Sequence, residues 1–308
     1  MNASGRSGAP GAESAAIVRL NRICARAQRR GRDLPVVDSR VALGVTCGAA
    51  SRRPSPVILL DKPFTIDFAV HGTTAAAARV RARDELGAAL EQLGLVAPRP
   101  VLVLAGDAAG GTVAGDELRP LFDEVLIPRA AAHGACIVDG GTDAGVMRLL
   151  GRAHAHAASG LPIVGVVVDA LAGRPDQPAG NEDGAPLERH HTHFVLVDGS
   201  RWGDEAPWIA AVAGALAGGA PSATVLVGGG EIAWDDVAES VRAGRLVIAV
   251  AGSGRTADAI AAAARGDESC DERARALAGG GLLRAVELAD RAALAAALDA
   301  ALGAGSRP

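Results

Sequence analysis

Gly252-Ser253-Gly254-Arg255 places a guanidinium directly behind a glycine turn and ahead of a helical pattern. An arginine there can grip a phosphate or diphosphate with its planar fork, beyond what backbone amides supply. Ser253 could add a hydroxyl to the same group or serve only as a small turn residue. Two more runs share this order of apolar strand, glycine turn and helix start. One is Ile137-Val138-Asp139-Gly140-Gly141-Thr142-Asp143-Ala144-Gly145-Val146-Met147, the other Val227-Gly228-Gly229-Gly230-Glu231-Ile232. A side chain at Gly140 or Gly141 would hold a ligand away from the backbone. Thr142 and Asp143 stand where a helix takes its N-cap, and the helix behind them begins with open N–H groups and a partial positive charge. That is the geometry of a phosphate or nucleotide site. A single turn of this kind also joins strands to helices for purely structural reasons.

Carboxylates and imidazoles are the other candidates for chemistry. Glu231 and Asp235 flank the Gly228 turn and suit a ribose hydroxyl, a metal or acid–base work. Asp235 and Asp236 equally suit the positive end of a helix. His190-His191-Thr192-His193 is the densest cluster of ring nitrogens, with His154 and His156 elsewhere. His191 and His193 share a strand face without an obvious carboxylate or cysteine partner. They read as hydrogen-bonding residues rather than as part of a closed four-ligand zinc site, so no metal ligand is assigned.

These residues need a scaffold. From Val101 apolar strands alternate with helical patterns, which implies a parallel sheet covered on both faces. The expected strands are Val101 to Leu104, Ala135 to Val138, Ile163 to Val168, His193 to Val197, Thr224 to Val227, Leu246 to Ala251 and Leu282 to Leu288. The polar stretch from Asp169 to Arg189 reads as an excursion outside the core. Asp204 is an N-cap candidate for the helix that follows. The three glycine turns all leave the carboxyl ends of strands, where ligands bind such sheets, and Gly106 lies in the loop after the Val101 to Leu104 strand. If the strands are neighbours, the turns open into one crevice. Upstream, strands are expected over Val41 to Thr46 and Val57 to Leu60, with a half-buried strand near Phe64 to Val70. A helix is expected from about Thr74 to Leu93.

The 308 residues divide into a disordered or basic helical tail (1–35), a strand and helix region packed on the main domain (36–96), a Rossmann-like domain (97–303) and a short tail (304–308). Hydrophobic residues make up 49% but aromatics only 2%, so Ala, Val and Leu must fill the core. A net charge of −4 gives no general attraction to nucleic acid, and few aromatics are available for base stacking. Four dispersed cysteines fit a reducing cytoplasm. The uncharged run from Ala206 to Gly230 is broken by prolines and glycines and is not expected to span a membrane.

The DGGTDAGVM run, then His191-Thr192-His193-Phe194-Val195-Leu196-Val197-Asp198, then Gly252-Ser253-Gly254-Arg255-Thr256-Ala257-Asp258 occur in that order. Together they closely resemble the LSDAT family, prokaryotic SLOG-superfamily relatives of the amino-terminal cytosolic domain of melastatin-type TRP channels. The resemblance covers about Pro100 to Leu302. It implies a Rossmann-like fold binding a nucleotide-derived ligand, ADP-ribose being the channel example. It makes Gly140, Gly141, Thr142, Gly145, Gly252, Ser253, Gly254 and Arg255 expected contacts. Asp143, Gly106, Gly228, Gly229, Gly230 and Glu231 complete the expected crevice. The helix after Trp202-Gly203 is apolar here, whereas the channels carry basic residues. LOG enzymes of the same superfamily have a phosphate-holding Gly-Thr where this chain has Glu231-Ile232, and Asp235 replaces their catalytic Glu. Two functions follow as expectations. The first is a cytoplasmic sensor of a nucleotide-derived small molecule, acting through a protein effector or as a homo-oligomer. The second is an enzyme cleaving such a ligand, with Glu231, Asp235 or Asp143 as its acid–base group.

Overall fold

A computed structural model describes residues 61–107, 113, 115–180 and 182–303. The tails, the basic stretch from Ile17 to Arg30 and the expected strands near Val41 and Val57 lie outside the described residues.

Buried Val, Ile and Leu runs build a nine-stranded sheet in the order β1-β2-β8-β5-β4-β3-β9-β10-β11. Its strands are β1 (Phe64–Phe68), β2 (Thr73–Val80), β3 (Val101–Gly106), β4 (Cys136–Asp139), β5 (Ile163–Val168), β8 (His193–Val197), β9 (Ser222–Val227), β10 (Leu246–Ala251) and β11 (Leu283–Glu287). Two short strands, β6 (Ala172–Gly173) and β7 (Ala185–Pro186), pair apart from it. All neighbours in the large sheet are parallel except β1, which runs antiparallel on β2 at one edge.

One face is covered by α2 (Gly115–Leu121), α3 (Ile127–Ala132), α4 (Gly145–Ala157) and α9 (Arg291–Gly303), whose apolar residues pack on Leu102, Leu104, Val225 and Val250. A π-helical turn, Phe122–Leu126, joins α2 to α3. The other face carries α1 (Leu86–Gln92), α5 (Ala206–Ala217), α6 (Ile232–Arg242), α7 (Arg255–Ala264) and α8 (Glu272–Ala278). Among the described residues, no helix covers the first face over β1, β2 and β8. Residues 169–189 form a strap there, with Ala172 and Leu187 packed on Phe68, Val167 and Phe194.

The expected helix from Thr74 begins as strand β2 instead, and only Leu86–Gln92 is α-helical. Ala77 and Ala78 are buried because β2 lies hydrogen-bonded between β1 and β8. Alanine's helix preference is worth only tenths of a kcal/mol per residue, which tertiary pairing readily overrides.

From β3 the chain steps to β4, β5 and β8 in one direction, then returns to add β9, β10 and β11 on the other side. The order therefore reverses between β3 and β9, the switch point at which open α/β sheets leave a crevice.

Candidate functional site

Gly106 pairs with Val227 across that switch point. A Cβ at Gly106 would lie 2.4 Å from the Val227 carbonyl oxygen and about as close to Val146 as packing permits, so no side chain fits. Asp107 follows, and its carbonyl accepts the Val146 amide at 3.1 Å, bringing the start of α4 to the β3 end. Neither α4 nor α6 has a side-chain cap, and both begin at the carboxyl end of the sheet. With the Val146 amide given to Asp107 and the Trp234 amide to Glu231, the remaining first-turn N–H groups and the helix dipoles supply the partial positive charge that draws anions.

The β9 and β10 turns are fastened to each other. Ser253 is 1% exposed; its hydroxyl donates to the Val250 carbonyl and accepts the Gly228 amide at 2.8 Å. Thr256 and Ala257, at the start of α7, donate their amides to Gly229 and Gly228. The α7 amides expected to face a ligand are thus partly taken by the neighbouring loop. Gly254 (φ +98°) leads into Arg255, a non-glycine residue held at φ +51°. Such left-handed backbone in a bulky residue persists where the surroundings fix it, and it clusters at binding sites. The guanidinium of Arg255 passes over Gly230, where a Cβ would come within 3.4 Å, and pairs with the Asp107 carboxylate. Its side chain remains 45% exposed, so a solute can reach it.

Gly106, Gly228, Gly229, Gly230, Gly252, Ser253, Gly254 and Arg255 therefore belong to one cluster over β3, β9 and β10. The β4 turn behaves differently. Because β3 lies between β4 and β9, the three expected turns do not come from adjacent strands. Gly141 (φ +65°) folds back over β5, where a Cβ would stand 2.7 Å from the Gly165 Cα and 3.1 Å from the Phe194 ring. Its lack of a side chain serves packing, whereas Gly140 faces open space. Thr142 is buried in a bridge to Leu187. Asp143 donates its amide to Pro186 and binds Arg148 through its carboxylate at 2.7 Å. The α4 N-cap is Ala144, not Thr142 or Asp143. Only Gly145, with Val146 behind it, returns toward Asp107.

Glu231 points outward and pairs with Arg273. Asp204 accepts the Ser200 and Arg201 amides and closes that turn, so the N-cap of α5 is Glu205. Glu205 lies near Asp235 and Asp236. Burial pushes the Glu205 carboxyl up, and burial reinforced by Glu205 and Asp235 pushes Asp236 to about 8.

Sequence reasoning missed two features. The first is a cavity of about 810 Å³ between the strap and the β1–β2 turn, lined by Phe68, Val70, Pro186, Leu187 and Arg189, which touches the β4 turn only through Asp143. The second is a fully buried ionic cluster. His191 directs Nε2 to Asp139 Oδ1 at 2.8 Å and Nδ1 to Glu188 Oε2 at 2.9 Å. Asp139 Oδ1 also accepts the Gly141 amide at 2.8 Å, and Glu188 accepts the His190 amide. The sequence signal was Glu188, three residues before His191. Asp139, 52 residues away, is brought in by the sheet alone.

The switch-point sheet with helices on both faces defines a Rossmann-like α/β protein of SLOG type. The family model described as SLOG in TRPM, prokaryote, matches residues 99–297, more than half of the chain. The chain belongs to this family, the prokaryotic LSDAT group named above. No curated protein matches it by sequence.

Proposed function

We propose that this protein binds a nucleotide-derived small molecule of the ADP-ribose class and acts as its sensor. The observation carrying this reading is the meeting of Arg255 with the Gly106 and Gly228–Gly230 turns at the reversal of strand order. Arg255 would exchange Asp107 for the ligand's phosphate, with the α4 and α6 N-termini adding their dipoles. Asp143 and Glu231, already paired with arginines, border the crevice rather than meet the phosphate.

A processing enzyme is the second reading. It is favoured by Asp236, raised to about 8 by burial with Glu205 and Asp235 nearby, since an acid still protonated near neutrality can deliver a proton. Incubation with NAD, ADP-ribose and nucleoside monophosphates separates the two. Thermal stabilisation without turnover by chromatography supports the sensor, and a new product supports the enzyme. Arg255→Ala is expected to weaken ADP-ribose binding at least about tenfold, as loss of a charge-assisted fork does. Unchanged affinity in that variant would place the ligand elsewhere.

A further inference from the structure

The strap and the β1–β2 turn flank the cavity of about 810 Å³. Small-molecule sites run from roughly 300 to 1,000 Å³ and are largely preformed. The wall here is mainly apolar, made by Phe68 and Val70 on one side and Pro175, Pro178, Pro186 and Leu187 on the other. Phe68 and Leu187 are buried, whereas Val70 is 93% exposed. The strap is tied down at several points. Pro186 accepts the Asp143 amide at 2.7 Å, and Leu187 and Glu188 donate theirs to Gly173 and Gly141. The buried Glu188 carboxylate meets His191 Nδ1 at 2.9 Å, which pins the chain between Leu187 and Arg189.

Charge on this wall is balanced except at one residue. Asp143 is bound by Arg148. Arg174 pairs with Asp169 at 3.0 Å and has Asp176 3.9 Å away. Asp67 alternates with the buried Ile66 and Phe68 along β1, so its carboxylate stands on the opposite face of the sheet. His71 is exposed and brings no negative charge. Arg189 is half-buried; its carbonyl accepts the Thr73 hydroxyl at 2.8 Å, and its Nε donates to His190 Nε2 at 3.2 Å. Among the described residues it has no carboxylate partner. A guanidinium with open donors beside apolar surface suits an anionic head carried on an apolar body.

We propose that this cavity is a second ligand site, taking an apolar monoanion of the medium-chain carboxylate class. Arg189 meets the charged head, and the body lies on Phe68, Val70 and Leu187. Neither Arg255 nor the β9 and β10 turns line this cavity, so the site stands whatever the crevice binds.

Two dyes with one apolar body separate charge from apolar contact: anilinonaphthalene sulfonate and its uncharged parent, phenylnaphthylamine. Fluorescence titration is expected to show one saturable site for the sulfonate, emptied by decanoate and not by ADP-ribose. Arg189→Gln is expected to weaken the sulfonate at least about tenfold while the uncharged dye changes less than about twofold, since only the charged head loses a partner. Val70→Asp puts a carboxylate on the apolar wall and is expected to weaken both dyes at least about fivefold. Its exposed position spares the fold, so it serves should Arg189→Gln fail to fold. Arg255→Ala is expected to leave both dyes within about twofold of the parent, because that residue lies outside the cavity. No saturable sulfonate binding, equal losses of both dyes in Arg189→Gln, or unchanged binding in Val70→Asp would each overturn the site. Displacement of the sulfonate by ADP-ribose, or its loss in Arg255→Ala, would put the dye in the crevice and overturn it as well.

Discussion

Two glycines in helices show how the same residue type answers to different constraints. Gly151 lies in α4 with the Glu188 carboxylate resting on it, and an added Cβ would fall 2.0 Å from an oxygen of that buried group. Gly214 lies exposed in α5, with nothing within 4 Å of where a Cβ would stand. Helix preference alone favours alanine at both places by about 1 kcal/mol. At Gly214 that gain is expected intact. At Gly151 the new methyl must displace Glu188, and through it His191, which reverses the sign. Gly151→Ala is expected to lose about 1–3 kcal/mol, the range for overpacking a filled site. Urea denaturation of the two variants checks this, and a stabilised Gly151→Ala protein would mean that Glu188 does not sit where the cluster needs it.

Among the elements, the pair formed by the β9 and β10 turns with α6 and α7 holds the crevice in shape. Ser253 is its fastening, since its hydroxyl is the acceptor for the Gly228 amide. Ser253→Ala is expected to destabilise the protein by about 1–3 kcal/mol by leaving that buried N–H unsatisfied. A direct phosphate contact predicts instead a loss of ligand affinity at constant stability, so equilibrium unfolding and calorimetry together assign the residue. The sequence showed these elements because runs such as Leu246 to Ala251 are short, rich in β-branched residues and bounded by glycine turns, the pattern of strands covered on both sides. It did not show β2, where a run of alanines has no periodicity of its own and pairing with β8 decides. Nor did it show that the β4 turn folds away over β5. That path depends on Gly165 and Phe194 making room for Gly141, a complementarity between residues far apart in the chain.

At the scale of the whole molecule, two groups with raised pKa, the buried His191 and the half-buried Asp236, tie folding to pH in the same direction. His191 titrates near 6.5 when unfolded and is raised to about 10 in the fold, so its contribution is complete below about pH 6.5 and lost as pH rises through 10. Asp236 is raised from 3.8 to about 8, and it too opposes folding as pH rises from acid through 8. The physical causes differ. His191 loses attraction to Asp139 and Glu188 when it deprotonates, whereas Asp236 gains a charge that is shut off from water, with Oδ1 lacking a partner and Glu205 and Asp235 nearby. Stability is therefore expected to fall steadily from pH 6 to pH 10 in chemical denaturation. Asp236→Asn should separate the two contributions. An amide cannot ionise, so the variant is expected to be more stable than the parent at pH 9 by at least about 1 kcal/mol, since each unit of pKa shift is worth about 1.4 kcal/mol once the parent's acid is charged. The advantage should shrink toward pH 4, where the parent's acid is protonated in both states. The remaining decline between pH 8 and 10 then belongs to His191, and it should persist in Asp236→Asn. An equal advantage at every pH would mean that Asp236 is not the group that titrates.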